Sequence, residues 1–349
     1  MKQLDIIFDN NPDCVYEPGQ LVQGSILLNL TEQLEFRGIR AKFQGEANVE
    51  WETGSGDNKS TYSASEKYFK EKQLLLGKLP HETSDKIALP PGEHFFPFRF
   101  QLPPQLPARF EGKCGKVEYS LKAIVDKPLA FDITETRIFT VRGQQVDLNQ
   151  VPDAMSEARM SGEKTLCCLC CATGPLSGTV MVPRKGYLAG ETVTVFGEIE
   201  NLTTRDIVDC HITFKSTVTF IAQTFTEKAE EELARIQGPS IRPGGSHHFN
   251  GETFTIPRGI MTSFLQGCSI MDINYFVELV AVPSGPAGNL RVPVEIVVGT
   301  IPHRLTLRVD SGGAAAQGFS TAFPTASPMS SFASGPAPVA PPPSYGAVT

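Results

Sequence analysis

Apolar residues fall at every second position over long stretches of this chain, most clearly between Leu89 and Asp126. Leu89-Pro90-Pro91-Gly92 is a turn signature, with proline fixing the backbone and glycine releasing it. Phe96, Phe98, Phe100 and Leu102 then alternate with Pro97, Arg99 and Gln101, the period of a half-buried strand. Prolines at 103, 104 and 107 end the run. A second run places Val117, Tyr119, Leu121, Ala123 and Val125 inward and Glu118, Ser120 and Lys122 outward. Together the two runs predict one hairpin of a sheet.

The same order of signals returns in the second half. Pro243-Gly244 precedes His247, alternating Phe254 and Ile256, and Pro257, as Pro91-Gly92 precedes His94, a strand and Pro103. Phe264 stands four residues before Cys268 as Phe110 stands before Cys114, and Tyr275, Val277, Leu279 and Ala281 repeat Tyr119, Leu121, Ala123 and Val125. Upstream, Tyr16-Glu17-Pro18-Gly19 leads a strand reaching Asn29-Leu30-Thr31, and Tyr187-Leu188-Ala189-Gly190 leads one reaching Asn201-Leu202-Thr203. A spacing of roughly 150 to 170 residues is domain-sized, so the pattern predicts one β domain duplicated in tandem.

Further alternating runs predict strands at 4–8, 21–30, 36–51, 68–79 and 133–142, then at 178–182, 192–200, 207–221, 248–256, 271–282 and 290–299. Residues 52–66 are polar and read as loop, and residues 143–165 lose aromatic side chains and read as an interdomain linker. Glu227 to Ile236 has strong local helix propensity, but its place in the duplication reads as strand. The expectation there is strand ends with room for a helical turn.

Composition narrows the class. The 349 residues suffice for two cores of about 130 to 150 residues. With 31 glycines, 27 prolines and one helix-prone stretch, they favour an all-β chain. The net charge of −7 gives no general attraction to phosphate backbones, so nucleic acid is not an expected partner. No secretory leader and no run near the ~18 apolar residues of a membrane helix is visible, which makes the cytosol the expected compartment. In that reducing setting the eight cysteines should be free thiols, and the sequons at Asn29, Asn58 and Asn201 carry no sugar. Ser311 to Thr349 has no Asp, Glu, Lys or Arg, and this composition predicts a disordered tail.

The run Leu89-Pro90-Pro91-Gly92-Glu93-His94-Phe95-Phe96-Pro97-Phe98 resembles the arrestin domain-containing, or α-arrestin, family. So do Phe110-Glu111-Gly112 before Tyr119-Ser120-Leu121-Lys122-Ala123, and Gly174-Pro175 followed by Arg184-Lys185-Gly186-Tyr187. The similarity runs from about residue 5 to 303 and covers both repeats in order. It implies two tandem arrestin-like (immunoglobulin-like) β-sandwich domains, at 1–145 and 174–310, joined by a linker at 146–173 and followed by a tail at 311–349. It further implies a non-enzymatic, cofactor-free cytoplasmic adaptor recruited to plasma membrane and endosomes. Such an adaptor engages cytoplasmic regions of membrane receptors or transporters, associates peripherally with membranes, and delivers WW-domain HECT-type ubiquitin ligases.

The sharpest short motif lies in the tail. In Pro341-Pro342-Pro343-Ser344-Tyr345, consecutive prolines pre-set a polyproline II helix, and Tyr345 supplies a ring and hydroxyl for a second pocket. Pro342, Pro343 and Tyr345 are therefore the expected WW-domain-binding residues. There is one such motif where longer family members have two, so bivalent engagement is not expected. Pro324-Thr325-Ala326-Ser327 has Ser where an ESCRT-recruiting motif needs Pro, and carries little weight. Cys167, Cys168, Cys170 and Cys171 are open to reversible acylation, though no basic run flanks them, and the favoured reading is small apolar side chains entering a strand. They lack the second pair or histidine that zinc needs, so no metal site is expected. Two rival readings remain: an endosomal coat-type trafficking scaffold independent of ubiquitin ligases, and a redox- or metal-responsive protein built on the cysteine cluster.

No catalytic constellation appears. His81-Glu82-Thr83-Ser84-Asp85 has Asp where a zinc protease needs its second His, and His247-His248 reads as a solvated turn. The family's thioredoxin-interacting member uses a second-domain cysteine. The corresponding stretch here, Gln237-Gly238-Pro239-Ser240, has none, which disfavours that redox role.

Overall fold

A computed structural model describes residues 3–9, 11–78, 86–128, 130–168 and 171–304. Eleven strands build the first domain. They are β1 (Gln3–Phe8), β2 (Val15–Tyr16), β3 (Leu21–Leu30), β4 (Leu34–Phe36), β5 (Gly38–Thr53), β6 (Ser60–Gly77), β7 (Ile87–Leu89), β8 (Gly92–Gln101), β9 (Phe110–Gly112), β10 (Gly115–Asp126) and β11 (Ile133–Val141). One sheet runs β1-β3-β8 and the other β2-β11-β10-β5-β6, with β9 paired to β10 and β4 to β7. Period-2 burial decides which face turns inward. Val22 and Ile26 of β3 share a buried cluster with Phe98 and Phe100 of β8, and Phe43 of β5 stacks on Phe100 with centroids 4.7 Å apart to join the sheets.

The second domain repeats the plan with β12 (Ala158–Cys168), β13 (Cys171–Val182), β14 (Gly186–Leu188), β15 (Thr192–Asn201), β16 (Ile207–Ala222), β17 (Phe225–Gln237), β18 (Ser246–Thr255), β19 (Met271–Pro283) and β20 (Leu290–Gly299). Its sheets run β12-β13-β15-β18 and β14-β20-β19-β16-β17, so apart from β12 each strand has a counterpart in the first domain. Phe214 of β16 stacks on Phe254 of β18 at 5.0 Å, where Phe43 stacks on Phe100. The Tyr119 hydroxyl donates to Pro107 O at 2.7 Å and the Tyr275 hydroxyl to Met261 O at 2.7 Å, tying the same inner strand to the chain entering it. Gly19 and Gly190 close matching turns at φ of +77° and +89°, a region that costs other residues a Cβ clash. The short strands before them, β2 and β14, pair in parallel with the last strand of their own domain.

Five expectations are corrected. The alternating runs around Phe98 and Tyr119 do not form a hairpin: β8 and β10 lie in opposite sheets, and the proline-rich link through Pro103, Pro104 and Pro107 crosses the sandwich between them. Alternation shows which face is buried, not which strand is the neighbour. Residues 158–168, assigned to the linker, are β12, paired along β13 from Ala158↔Val182 onward. Residues 60–66, assigned to a loop, extend β6, which pairs with β5 out to Thr53↔Ser60. His247 and His248 lie within β18, where His248 is paired with Glu198 of β15, rather than in a turn. The helix-prone Glu227–Ile236 is continuous strand in β17, because pairing along β16 outweighs local propensity.

Between the domains, Val146, Leu148 and Ala154 pack on Val297. Leu148 N donates to Ile301 O at 3.1 Å and Thr300 N to Val146 O at 2.9 Å, so this connection is clasped to the far end of the second domain.

Candidate functional site

The residues expected to bind a WW domain, Pro342, Pro343 and Tyr345, lie outside the described residues, as do Cys170, the stretch from His81 to Asp85 and Pro324 to Ser327. Cys167 and Cys168 end β12 and Cys171 opens β13, with Cys168 paired to Cys171 and Cys167 to Ala172. Cys167, Cys168 and Cys171 thus lie at the adjoining ends of two paired strands. Among the described residues no group of three or more His, Cys, Asp or Glu is placed to hold a metal ion.

Where the two domains meet, the sequence reading named no residues. Tyr62 of β6 packs on Phe225 of β17 with centroids 4.5 Å apart, and Trp51 stacks behind Tyr62 at 5.6 Å. Glu66 Oε2 accepts from both the backbone N and the Oγ of Ser269, each at 2.8 Å. Tyr68 lies beside Cys268, and burial first, then that thiol, holds its hydroxyl far above the ordinary tyrosine range. Gly115 of β10 lies against Met271: a Cβ there would stand 2.9 Å from Met271 Sδ and 2.6 Å from Val49, so only glycine admits this approach. Apolar packing is consequently continuous from Val22 in the first sandwich through Phe110 and Phe220 to Val298 in the second. These residues are scattered along the chain, and only the fold brings them together.

Beside the seam a shallow open groove of about 580 Å³ is lined by Asn48, Glu50, Ser63, Ser65, Glu111 and Lys116, with Cys114 among them. Burial raises the Cys114 thiol above its ordinary value, which works against a reactive thiolate. Cys210, next to the Gln237–Ser240 stretch, is fully buried, donates to Pro239 O at 3.0 Å and is pushed up to about 11 by burial. Neither thiol has the electropositive, exposed setting of a reactive cysteine.

On the outer face of the second domain, Glu278 receives Lys215 Nζ at 3.2 Å and Arg291 Nη1 at 2.8 Å, and Lys215 also reaches Glu230 at 3.0 Å. His211 and Gln237 both bond Asp209, at 2.9 and 2.6 Å, and the Gln237 bond leads in holding that carboxyl below its usual range. This face is closed by its own ion pairs. The arrangement offers broad sheet surfaces and a seam, features suited to docking other proteins.

Comparison with known proteins agrees with the duplicated plan. The profile described as arrestin (or S-antigen), N-terminal domain, matches residues 4–149, and that described as arrestin (or S-antigen), C-terminal domain, matches 172–303. Human arrestin domain-containing protein 4 is 31% identical over 309 residues, covering 87% of this chain and 72% of the relative. Arrestin domain-containing protein 17 of Caenorhabditis elegans is 30% identical over 326 residues, covering 89% and 74%. Thioredoxin-interacting protein of Sus scrofa is 28% identical over 300 residues, covering 85% and 74%.

Proposed function

Given that the chain belongs to the arrestin domain-containing (α-arrestin) family, we propose that it is a cytosolic adaptor linking membrane-protein cargo to WW-domain HECT-type ubiquitin ligases. Family membership supports a trafficking adaptor that binds other proteins, in a family that is generally non-enzymatic. Among the described residues no helix is long and apolar enough to cross a membrane. The observation that carries the finer reading is Pro342-Pro343-Ser344-Tyr345 behind two arrestin domains. In this division of labour the two sandwiches and their seam engage cytoplasmic regions of receptors or transporters at plasma membrane and endosomes. The tail presents Pro342, Pro343 and Tyr345 to the ligase, which performs the ubiquitin chemistry.

Titrating a labelled 338–349 peptide into isolated WW domains tests the reading. Tyr345→Ala removes an aromatic anchor, a class whose truncation costs about 2 kcal/mol or more, roughly thirtyfold in affinity. Pro342→Ala should weaken binding as well, and a phosphate on Tyr345 should do so by placing a dianion in an apolar pocket. Equal affinity for the native and Tyr345→Ala peptides would leave the ligase-independent scaffold as the better account.

A further inference from the structure

On the outer face of the larger sheet in the first domain, one row is charged in one sense. Strand register places Lys122 of β10, Lys42 of β5 and Lys72 of β6 directly in line. Lys70 follows one step along, opposite Gln44. Strands lie ~4.8 Å apart, so three ammonium groups stem from a line of ~10 Å. Like charges directly opposite one another destabilise a sheet, and this cluster stands in a chain of net charge −7. Among the described residues none of the four lysines forms a salt bridge. The carboxylates on the flanking rows are engaged elsewhere: Asp126 with Arg37 and Arg40, Glu46 with Gln44, and Glu118 with Lys116. Partial burial first, then the charges of Lys70, Lys122 and Lys72, hold the Lys42 ammonium below its ordinary value. Glu46 offsets part of this repulsion, and among the described residues no ion pair neutralises it.

Exposed apolar side chains lie on the neighbouring rows and in the loop beyond the end of β10. Leu74 lies on the same face beside Arg40, and Ile138 beside Ser120, and both are exposed. Phe131, in the loop between β10 and β11, is 98% exposed. A basic centre with an apolar rim is the pattern of a surface that lies on an anionic bilayer.

We propose that this face, centred on Lys42, Lys70, Lys72 and Lys122, is a peripheral membrane-docking surface for anionic lipid headgroups, with Phe131, Ile138 and Leu74 reaching the acyl boundary. An acidic peptide fits less well. Extended chain presents side chains on one face only every ~6.8 Å, wider than the lysine spacing, and it gives no role to Phe131. The proposal rests on the membrane-side recruitment given above, but not on the tail motif.

The test is flotation of the full chain with vesicles of phosphatidylcholine alone, with added phosphatidylserine, and with an added phosphoinositide. The expected result is partitioning only to the anionic vesicles, weakened by salt. Each lysine changed to glutamine should lower partitioning roughly fivefold, the equivalent of ~1 kcal/mol per basic residue at such a surface. Phe131→Ser should lower it too. Lys42→Gln relieves repulsion, so its melting temperature should stay level or rise, which separates lost binding from lost fold. Tyr345→Ala should leave partitioning unchanged while abolishing ligase recruitment, so failure of one reading is distinguishable from failure of the other. Equal partitioning to neutral and anionic vesicles would overturn the proposal, as would an unaffected Lys42→Gln/Lys72→Gln variant. So would binding of a free polyglutamate peptide at this face without vesicle binding.

Discussion

Replacing Glu278 with leucine should destabilise the second domain by about 3 kcal/mol, even though the change removes a charge from a buried site. The Glu278 side chain is 5% exposed and bridges Lys215, 11% exposed, to Arg291, 54% exposed. Arg291 can return to water at little cost. Lys215 cannot, and keeps only Glu230, whose side chain is 51% exposed and screened. That surviving partner sets the expected cost at the low end of the 3–5 kcal/mol typical of a broken buried pair, about 3 kcal/mol. Lys215→Met should cost less, about 1.5 kcal/mol, because Glu278 retains Arg291. The double variant removes both buried charges beside buried Val280, and should cost no more than about 1.5 kcal/mol. The coupling energy is then about 3 kcal/mol. Urea unfolding followed by circular dichroism, with the slope unchanged between variants, measures it, and hydrogen exchange on β16 and β19 localises it. Additive single costs, or a Glu278→Leu protein as stable as the parent, would show that the cluster is a surface pair of little consequence.

Two further outcomes follow from the geometry. Tyr119→Phe leaves the Pro107 carbonyl buried without its donor and should cost about 1–3 kcal/mol by chemical denaturation, with Tyr275→Phe costing a similar amount in the other domain. Asp5 is held below its ordinary 3.8, chiefly by its hydrogen bond from Arg137, so its contribution is complete above that value and is lost as pH falls through the lower folded value. Asp5→Asn should therefore flatten the acid limb of a stability–pH curve below about pH 4, and an unchanged limb would count against the pairing.

The strands were legible because burial imposes period 2 on the sequence, and the duplication because two copies of one sandwich need the same turns and the same tyrosine. The pairing of β8 and β10 was misread because alternation is silent about which sheet a strand joins. The start of β12 was missed since Arg159, Met160 and Glu163 on an exposed outer strand look like linker residues. In β17 the glutamates and alanines favour helix locally, and only the twelve residues of β16 paired alongside, His211 to Ala222, override them. The lysine row was invisible for a different reason: Lys42, Lys72 and Lys122 are far apart in sequence and meet only through register. Once the strands are placed, each lies at an outward position, which is the signal that would have found them. The tail motif, by contrast, needs no fold to be read.

The parallel pairing of β2 with β11 and of β14 with β20 bears on synthesis. A ribosome releases each of these short early strands long before its partner, so neither sandwich can close until Val141 or Gly299 has emerged. The first half can finish alone, but the Val146–Thr300 clasp and the Glu66–Ser269 bonds wait for the second. During that interval β6 stands without Phe225 over Tyr62, an open apolar spot on a nascent chain. Ribosome-bound intermediates stalled between the two halves are accordingly the species that should engage chaperones most strongly.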